Sequence, residues 1–196
     1  MCIRDSSLTG DGNANILSGQ DGNDSIYGGA GDDNISGGAG VDLLVGGAGV
    51  DVFDGGGGSD TVDYISAGAA VSVNLTTNSA SGSDAAGDTF TLVENLSGSG
   101  YNDTLIGDAL DNVLTGAAGN DSLTGAAGTD TLYGGAGNDT LAGEAGGDVI
   151  DGGADIDTAD YSASAQSVTV SLAGGPNTGG EANSLDGGDG NDTLIG

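Results

Sequence analysis

Twelve aspartates and two asparagines recur on a nine-residue spacing: Asn15, Asp24, Asp33, Asp42, Asp51 and Asp60, then Asp103, Asn112, Asp121, Asp130, Asp139, Asp148 and Asp157, then Asp192. A carboxylate is a hard oxygen donor. A series of them suits Ca²⁺, which takes six or more oxygen ligands, better than the smaller Mg²⁺, which dehydrates reluctantly. Zinc would need His or Cys ligands, and the chain has no His and a single Cys. These fourteen residues are the candidate metal ligands. The same inventory argues against catalysis. Ser or Cys nucleophiles need a base, and neither His nor Lys is present. Paired carboxylates could serve a glycosidase, but the period accounts for most of them. The stray acids Asp84, Asp88, Glu94 and Glu181 lie in Gly/Ser-rich or linker-like sequence. No catalytic residue and no organic cofactor is therefore expected, and a catalytic domain elsewhere in a parent protein stays open.

The composition agrees. Among 196 residues there are 43 Gly, 30 Asp plus Glu and one basic residue, for a formal net charge of −29. Acid on this scale repels itself and opposes any compact state unless something neutralises it. Nucleic acid is excluded as a partner, because phosphate binding needs Lys and Arg. Anionic membrane surfaces are excluded for the same reason, and no apolar stretch is long enough to insert in a membrane as a helix. Apolar residues make up only 36% and aromatics 4%, too little bulk for a thick core.

The elements that would position the acids follow from the same period. Gly recurs at Gly10, Gly19, Gly28, Gly37, Gly46 and Gly55, and again from Gly98 to Gly152 in steps of nine, then at Gly187. Counting that Gly as position one, position four is usually Gly, position six is the Asp or Asn named above, and position eight is apolar throughout, from Leu17 and Ile26 to Ile150, Ala159 and Leu194. The Gly-rich first six residues can turn tightly. The last three form a short strand with the eighth residue pointing inward. Two units then close a coil of about 18 residues, and coils stack through parallel strands about 4.8 Å apart. The predicted fold is an all-β parallel β-roll or β-helix solenoid. Stacking sets equivalent acids, 18 apart in sequence, one above another.

Units such as Gly28-Gly29-Ala30-Gly31-Asp32-Asp33-Asn34-Ile35-Ser36 match the pattern G-G-x-G-x-D-x-U-x. On these residues the chain resembles the RTX, or hemolysin-type, calcium-binding nonapeptide-repeat family of secreted bacterial proteins. The resemblance covers nearly two-thirds of the chain. It implies ions held between stacked loops by position-six carboxylates and main-chain carbonyls, roughly four in the first block of repeats and five in the second. It also implies export by type I secretion machinery to the cell surface or medium. Position two of the second block departs from the pattern at Ser99, Asp108, Ala117, Ala126 and Glu144, which is expected to weaken those loops without having to abolish them.

The chain divides into residues 1–9, a first block of six repeats over 10–63, an insert over 64–97, a second block of seven repeats over 98–160, a second insert over 161–186, and the start of a third block over 187–196. Met1–Ser6 resembles a translated sequencing-adaptor peptide, and both ends read as cut. The inserts resemble each other: Val71-Ser72-Val73-Asn74-Leu75 parallels Val168-Thr169-Val170-Ser171-Leu172. Each is expected to form a longer coil that continues the stack or a small β cap, with Tyr64 and Tyr161 covering the ends of the blocks. The functional expectation is calcium-coupled folding of a secreted protein. The alternative is a structural spacer or adhesin segment of a large surface protein, whose protein or glycan partner the sequence does not name. An ice-binding surface is disfavoured, because position three is mostly Ala rather than Thr.

Overall fold

The computed structural model describes residues 5–163, together with the backbone of the strands Thr169–Ser171, Ser184–Asp186 and Thr193–Ile195. Period-nine turns and period-two strands build a parallel β-solenoid of about 8 turns. There is no α-helix among the described residues, only a 3₁₀ turn at Ser83–Ala85.

One wall is continuous. Its strands run Ser7–Thr9, Ser25–Ala30, Leu43–Ala48, Thr61–Asp63, Asn95–Ser97, Val113–Ala118, Thr131–Ala136 and Val149–Ala154, all parallel. Their register stacks Leu8, Ile26, Leu44, Val62, Leu96, Leu114, Leu132 and Ile150 in single file. The opposite wall has two sections. Ile16–Asp21, Asn34–Gly40, Val52–Gly58 and Thr89–Thr91 form the first. Ser72–Asn74, Thr104–Ile106, Ser122–Thr124, Thr140–Ala142, Thr158–Asp160 and Ser184–Asp186 form the second. The core is the narrow seam where the position-eight residues of the two walls meet, and Ile26, Ile35, Leu44, Phe53, Leu105, Leu114 and Leu132 are fully buried there. Neighbouring residues on each strand face outward, as the pleat requires.

The insert over 64–97 continues the stack as a longer coil. Asn95–Ser97 pairs with Thr61–Asp63 on one side and with Val113–Ala118 on the other, so the first wall passes through without a break. On the opposite wall Thr89–Thr91 closes the first section, with Phe90 stacked on Phe53 at 5.7 Å between ring centroids. Ser72–Asn74 opens the second section and is flanked by the antiparallel strand Ser79–Ser81. The second insert makes two pairings among the described residues, one on the opposite wall and one in a separate two-stranded sheet. Ser184–Asp186 joins Thr158–Asp160, and Thr169–Ser171 joins Thr193–Ile195. The wall that runs on therefore switches from one insert to the next, because seven repeats, an odd number, lie between them.

Residues 5–9, set apart in the sequence reading as lead-in, extend the register by half a coil, with Leu8 beneath Ile26. Leu96 joins the two blocks and is 1% exposed. Leu96→Ala removes a side chain stacked between Val62 and Leu114, and is expected to cost about 2–5 kcal/mol. Urea unfolding in saturating calcium measures it.

Candidate metal-binding columns

The turn that precedes each strand sets position six at the mouth of the seam. There the carboxylates stack in columns. Each accepts, through Oδ1, the backbone N–H of the position-six residue one coil earlier. Along the continuous wall Asp24 accepts from Ser6 (2.6 Å), Asp42 from Asp24 (2.7 Å), Asp60 from Asp42 (2.9 Å), Asp130 from Asn112 (2.9 Å) and Asp148 from Asp130 (3.0 Å). On the opposite wall Asp33 accepts from Asn15 (2.7 Å) and Asp51 from Asp33 (2.9 Å). In the second section of that wall Asp121 accepts from Asp103 (2.7 Å), Asp139 from Asp121 (2.8 Å) and Asp157 from Asp139 (3.0 Å). The structure thus brings the candidate residues together in the pairs, 18 apart, that the period predicts. Asp192 lies outside the described residues.

The second carboxylate oxygen is the informative one. Oδ2 of Asp24, Asp33, Asp42, Asp51, Asp60, Asp121, Asp130 and Asp139 is buried and accepts no hydrogen bond. Each buried orphan costs about 1–3 kcal/mol, more if ionised. Eight of them approach or exceed the whole stability of an ordinary domain, about 5–15 kcal/mol. Main-chain carbonyls converge on the same places. A Cβ built on Gly19 would land on Asp24 Oδ2 and, at 2.5 Å, on the Gly37 carbonyl oxygen of the next coil. Gly37 meets Asp42 Oδ2 and the Gly55 oxygen (2.6 Å), and Gly116 meets Asp121 Oδ2 and the Gly134 oxygen (2.6 Å). Position one is Gly because oxygen donors occupy the space a side chain would take. Among the described residues no three His, Cys, Asp or Glu side chains gather as one ligand group. A cation here would be held by carboxylates of successive coils together with these carbonyls, a donor set that fits Ca²⁺.

Electrostatics point the same way. Burial pushes the Asp51 carboxyl up to about 7, and the nearby Asp88, Asp33 and Asp32 carboxylates add to the rise against the Asp33 N–H. Asp60 and Asp139 are pushed up to about 6, again chiefly by burial and next by the acids above and below. Asp42, Asp121, Asp130 and Asp157 are raised for the same leading reason.

Three of the fourteen residues are already partnered. The Asp103 carboxylate accepts the Ser99 hydroxyl (2.9 Å) and the Val71 N–H (2.7 Å). Asn15 Oδ1 accepts the Asp11 N–H (2.8 Å). Asn112 Oδ1 accepts the Asp108 N–H (2.8 Å), and its amide nitrogen donates to the Glu94 carbonyl (2.7 Å). These residues cap the columns at the beginning of each block.

Three features escaped the sequence reading. Asp88 and Glu94, read there as stray acids, occupy position six: Asp88 accepts the Asp51 N–H (2.8 Å) and Glu94 the Asp60 N–H (2.9 Å). Each stands two residues before an inward Phe90 or Leu96, a signal hidden by the missing glycines. Position five forms a counter-running ladder, in which Asn102 accepts from Asn120 and Asn120 from Asn138, both at 2.8 Å. Finally, three of the five loops expected to weaken at position two keep the glycine conformation, with Ala117 and Ala126 both at φ +82° and Glu144 at +64°. That conformation costs about 1–2 kcal/mol for a non-glycine residue.

No curated protein sequence matches the chain significantly. The family model of the RTX calcium-binding nonapeptide repeat matches residues 9–44, 33–62, 97–132, 124–159 and 177–196. Those segments cover well over half of the chain, coincide with the two repeat blocks, and extend into the third. With the nine-residue period, the parallel roll and the stacked oxygen donors, they show that the chain belongs to the RTX calcium-binding repeat family.

Proposed function

We propose that the chain binds Ca²⁺ through its position-six aspartates and that this binding drives its folding outside the cell. The carrying observation is the set of buried, unpartnered Oδ2 atoms set against main-chain carbonyls of the next coil. Without a cation these oxygens and their like-charged neighbours oppose the stack. With one, each opposing group becomes a ligand, so binding free energy becomes folding free energy. Roughly four ions in the first block and five in the second satisfy the pairs.

RTX repeats are typical of secreted bacterial proteins. A low-calcium cytosol would leave the chain open and ready for type I export, and millimolar extracellular calcium would then close the roll, in keeping with weak extracellular calcium modules. The chain's role in this reading is binding, not catalysis. A second reading, a spacer or adhesin segment, is favoured by one feature. The wall that runs unbroken through the first insert makes both blocks one stiff rod.

Circular dichroism of the chain tests the proposal. In EDTA at pH 8 no sheet signal is expected; millimolar calcium should restore it, EDTA should reverse it, and magnesium should not substitute. Full sheet content in chelator, unchanged by calcium, would end the proposal.

A further inference from the structure

The seam between the first repeat block and the insert carries a cluster of donors that the nonapeptides supply only in part. Asp60 is 0% exposed, and its Oδ2 has no partner. In the regular coils that oxygen faces the carbonyl of a position-one glycine. Here the chain has left the repeat, yet a carbonyl still arrives. A Cβ built on Gly55 would land on the Leu92 main-chain oxygen, with Asp60 Oδ2 at 2.8 Å. Leu92 reaches this place at φ +50°, a left-handed conformation that costs a branched-chain residue about 1–2 kcal/mol. Two residues on, the Glu94 carboxylate accepts the Asp60 N–H at 2.9 Å, as the next coil's aspartate does elsewhere. Asp54 adds a further negative charge close to Asp60, and its own Oδ1 is buried without a partner.

The other column is finished differently at the same level. The Asp88 carboxylate accepts the Tyr64 hydroxyl at 2.8 Å, so a phenol satisfies the oxygen that would otherwise call for a cation. Asp88 is the counterpart of Glu94, and Asp51, the counterpart of Asp60, keeps an unpartnered Oδ2 as Asp60 does. Glu94 is only half buried and Leu92 is exposed, so an ion can reach the place from solvent.

We propose that Asp60 Oδ2 of the last repeat, together with the Leu92 carbonyl and the Glu94 carboxylate from outside the repeats, forms a calcium site that ties the insert to the first block. The site rests on the calcium-binding reading above. In it, the strained Leu92 backbone and the long Glu94 side chain rebuild the oxygen arrangement of a repeat across an interruption in the repeat.

The test is an ion count on the full chain at saturating calcium, by equilibrium dialysis with atomic emission, for the wild type and Glu94→Gln. Gln keeps an acceptor for the Asp60 N–H and removes the charge. Loss of one ion per chain, with the dichroism of the repeats retained, is expected; an unchanged count overturns the site. A second measurement does not depend on how the variant folds. In crystals of the calcium-loaded wild type, anomalous density is expected between Asp60, Leu92 and Glu94. Density in the repeat columns but not at the seam overturns the site alone. A wild type that binds no calcium at all overturns the proposed function instead.

Discussion

Acid is expected to fold the calcium-free chain. In the roll Asp51 is held at about 7 and Asp60 and Asp139 at about 6, against 3.8 in an open chain, with burial the leading cause in each case. Folded-state values above the unfolded ones mean that the folded state takes up protons. Their stabilising contribution is complete below about pH 4 and is lost as pH rises through 6 to 7. Asp42, Asp88, Asp121, Asp130 and Asp157, raised in the same direction, add to it. A proton on a position-six carboxylate removes the charge that a cation would otherwise neutralise. The measurement is circular dichroism in EDTA from pH 8 down to pH 5, which stays above the isoelectric point of about 4.1 and so limits precipitation. Sheet signal should grow as the pH falls. In calcium the trend reverses, because protons compete for the same oxygens, and the calcium midpoint should rise toward pH 5. A chelated chain equally unfolded at pH 8 and pH 5 would contradict the buried-carboxylate account.

Adding a single methyl group at Gly116 is expected to do more damage than its size suggests. Gly116→Ala places Cβ on Asp121 Oδ2 and against the Gly134 carbonyl, two of the oxygens assigned to one ion. Forcing them apart costs about 1–3 kcal/mol, so the calcium midpoint should rise on the order of tenfold. Gly57→Ala is the control. No atom lies within 4 Å of a Cβ there, and the midpoint should hold or fall slightly. The carboxylates give a parallel comparison. Asp121→Ala removes a donor shared by two stacked sites and orphans the Asp103 N–H, whereas Asp84 sits in the 3₁₀ turn outside the columns. Calcium titration followed by dichroism ranks all four variants. Equal midpoints for Asp121→Ala and Asp84→Ala would undo the column assignment.

Much of this was legible in the sequence because each position of the unit answers to a local rule. Position eight must be apolar to face the seam, position six must supply oxygen, and position one must leave room for it. Those rules fix the roll, its 18-residue coil and the pairs such as Asp121 with Asp139. What stayed hidden depends on partners set by tertiary structure. Asp88 and Glu94 keep only the second half of a unit, so a search for glycines passes over them. The commitment of Asp103 to Ser99 appears only once the turn is built. The position-five ladder mixes Asn120 with Val41 and Val50, whose side chains carry no acceptor and which join through their backbone N–H. That variation blurs the column in the sequence.

The switch of the running wall between inserts makes the number of repeats a parity counter. With seven units between them, one wall runs on at the first interruption and the facing wall runs on at the second, in the manner of leaves alternating on a stem. Excising a single nonapeptide from the second block would swing everything downstream to the opposite flank, whereas excising two would only shorten the rod by one rung. In such an architecture the count of repeats, odd or even, governs which way an inserted loop faces, independently of what any repeat binds.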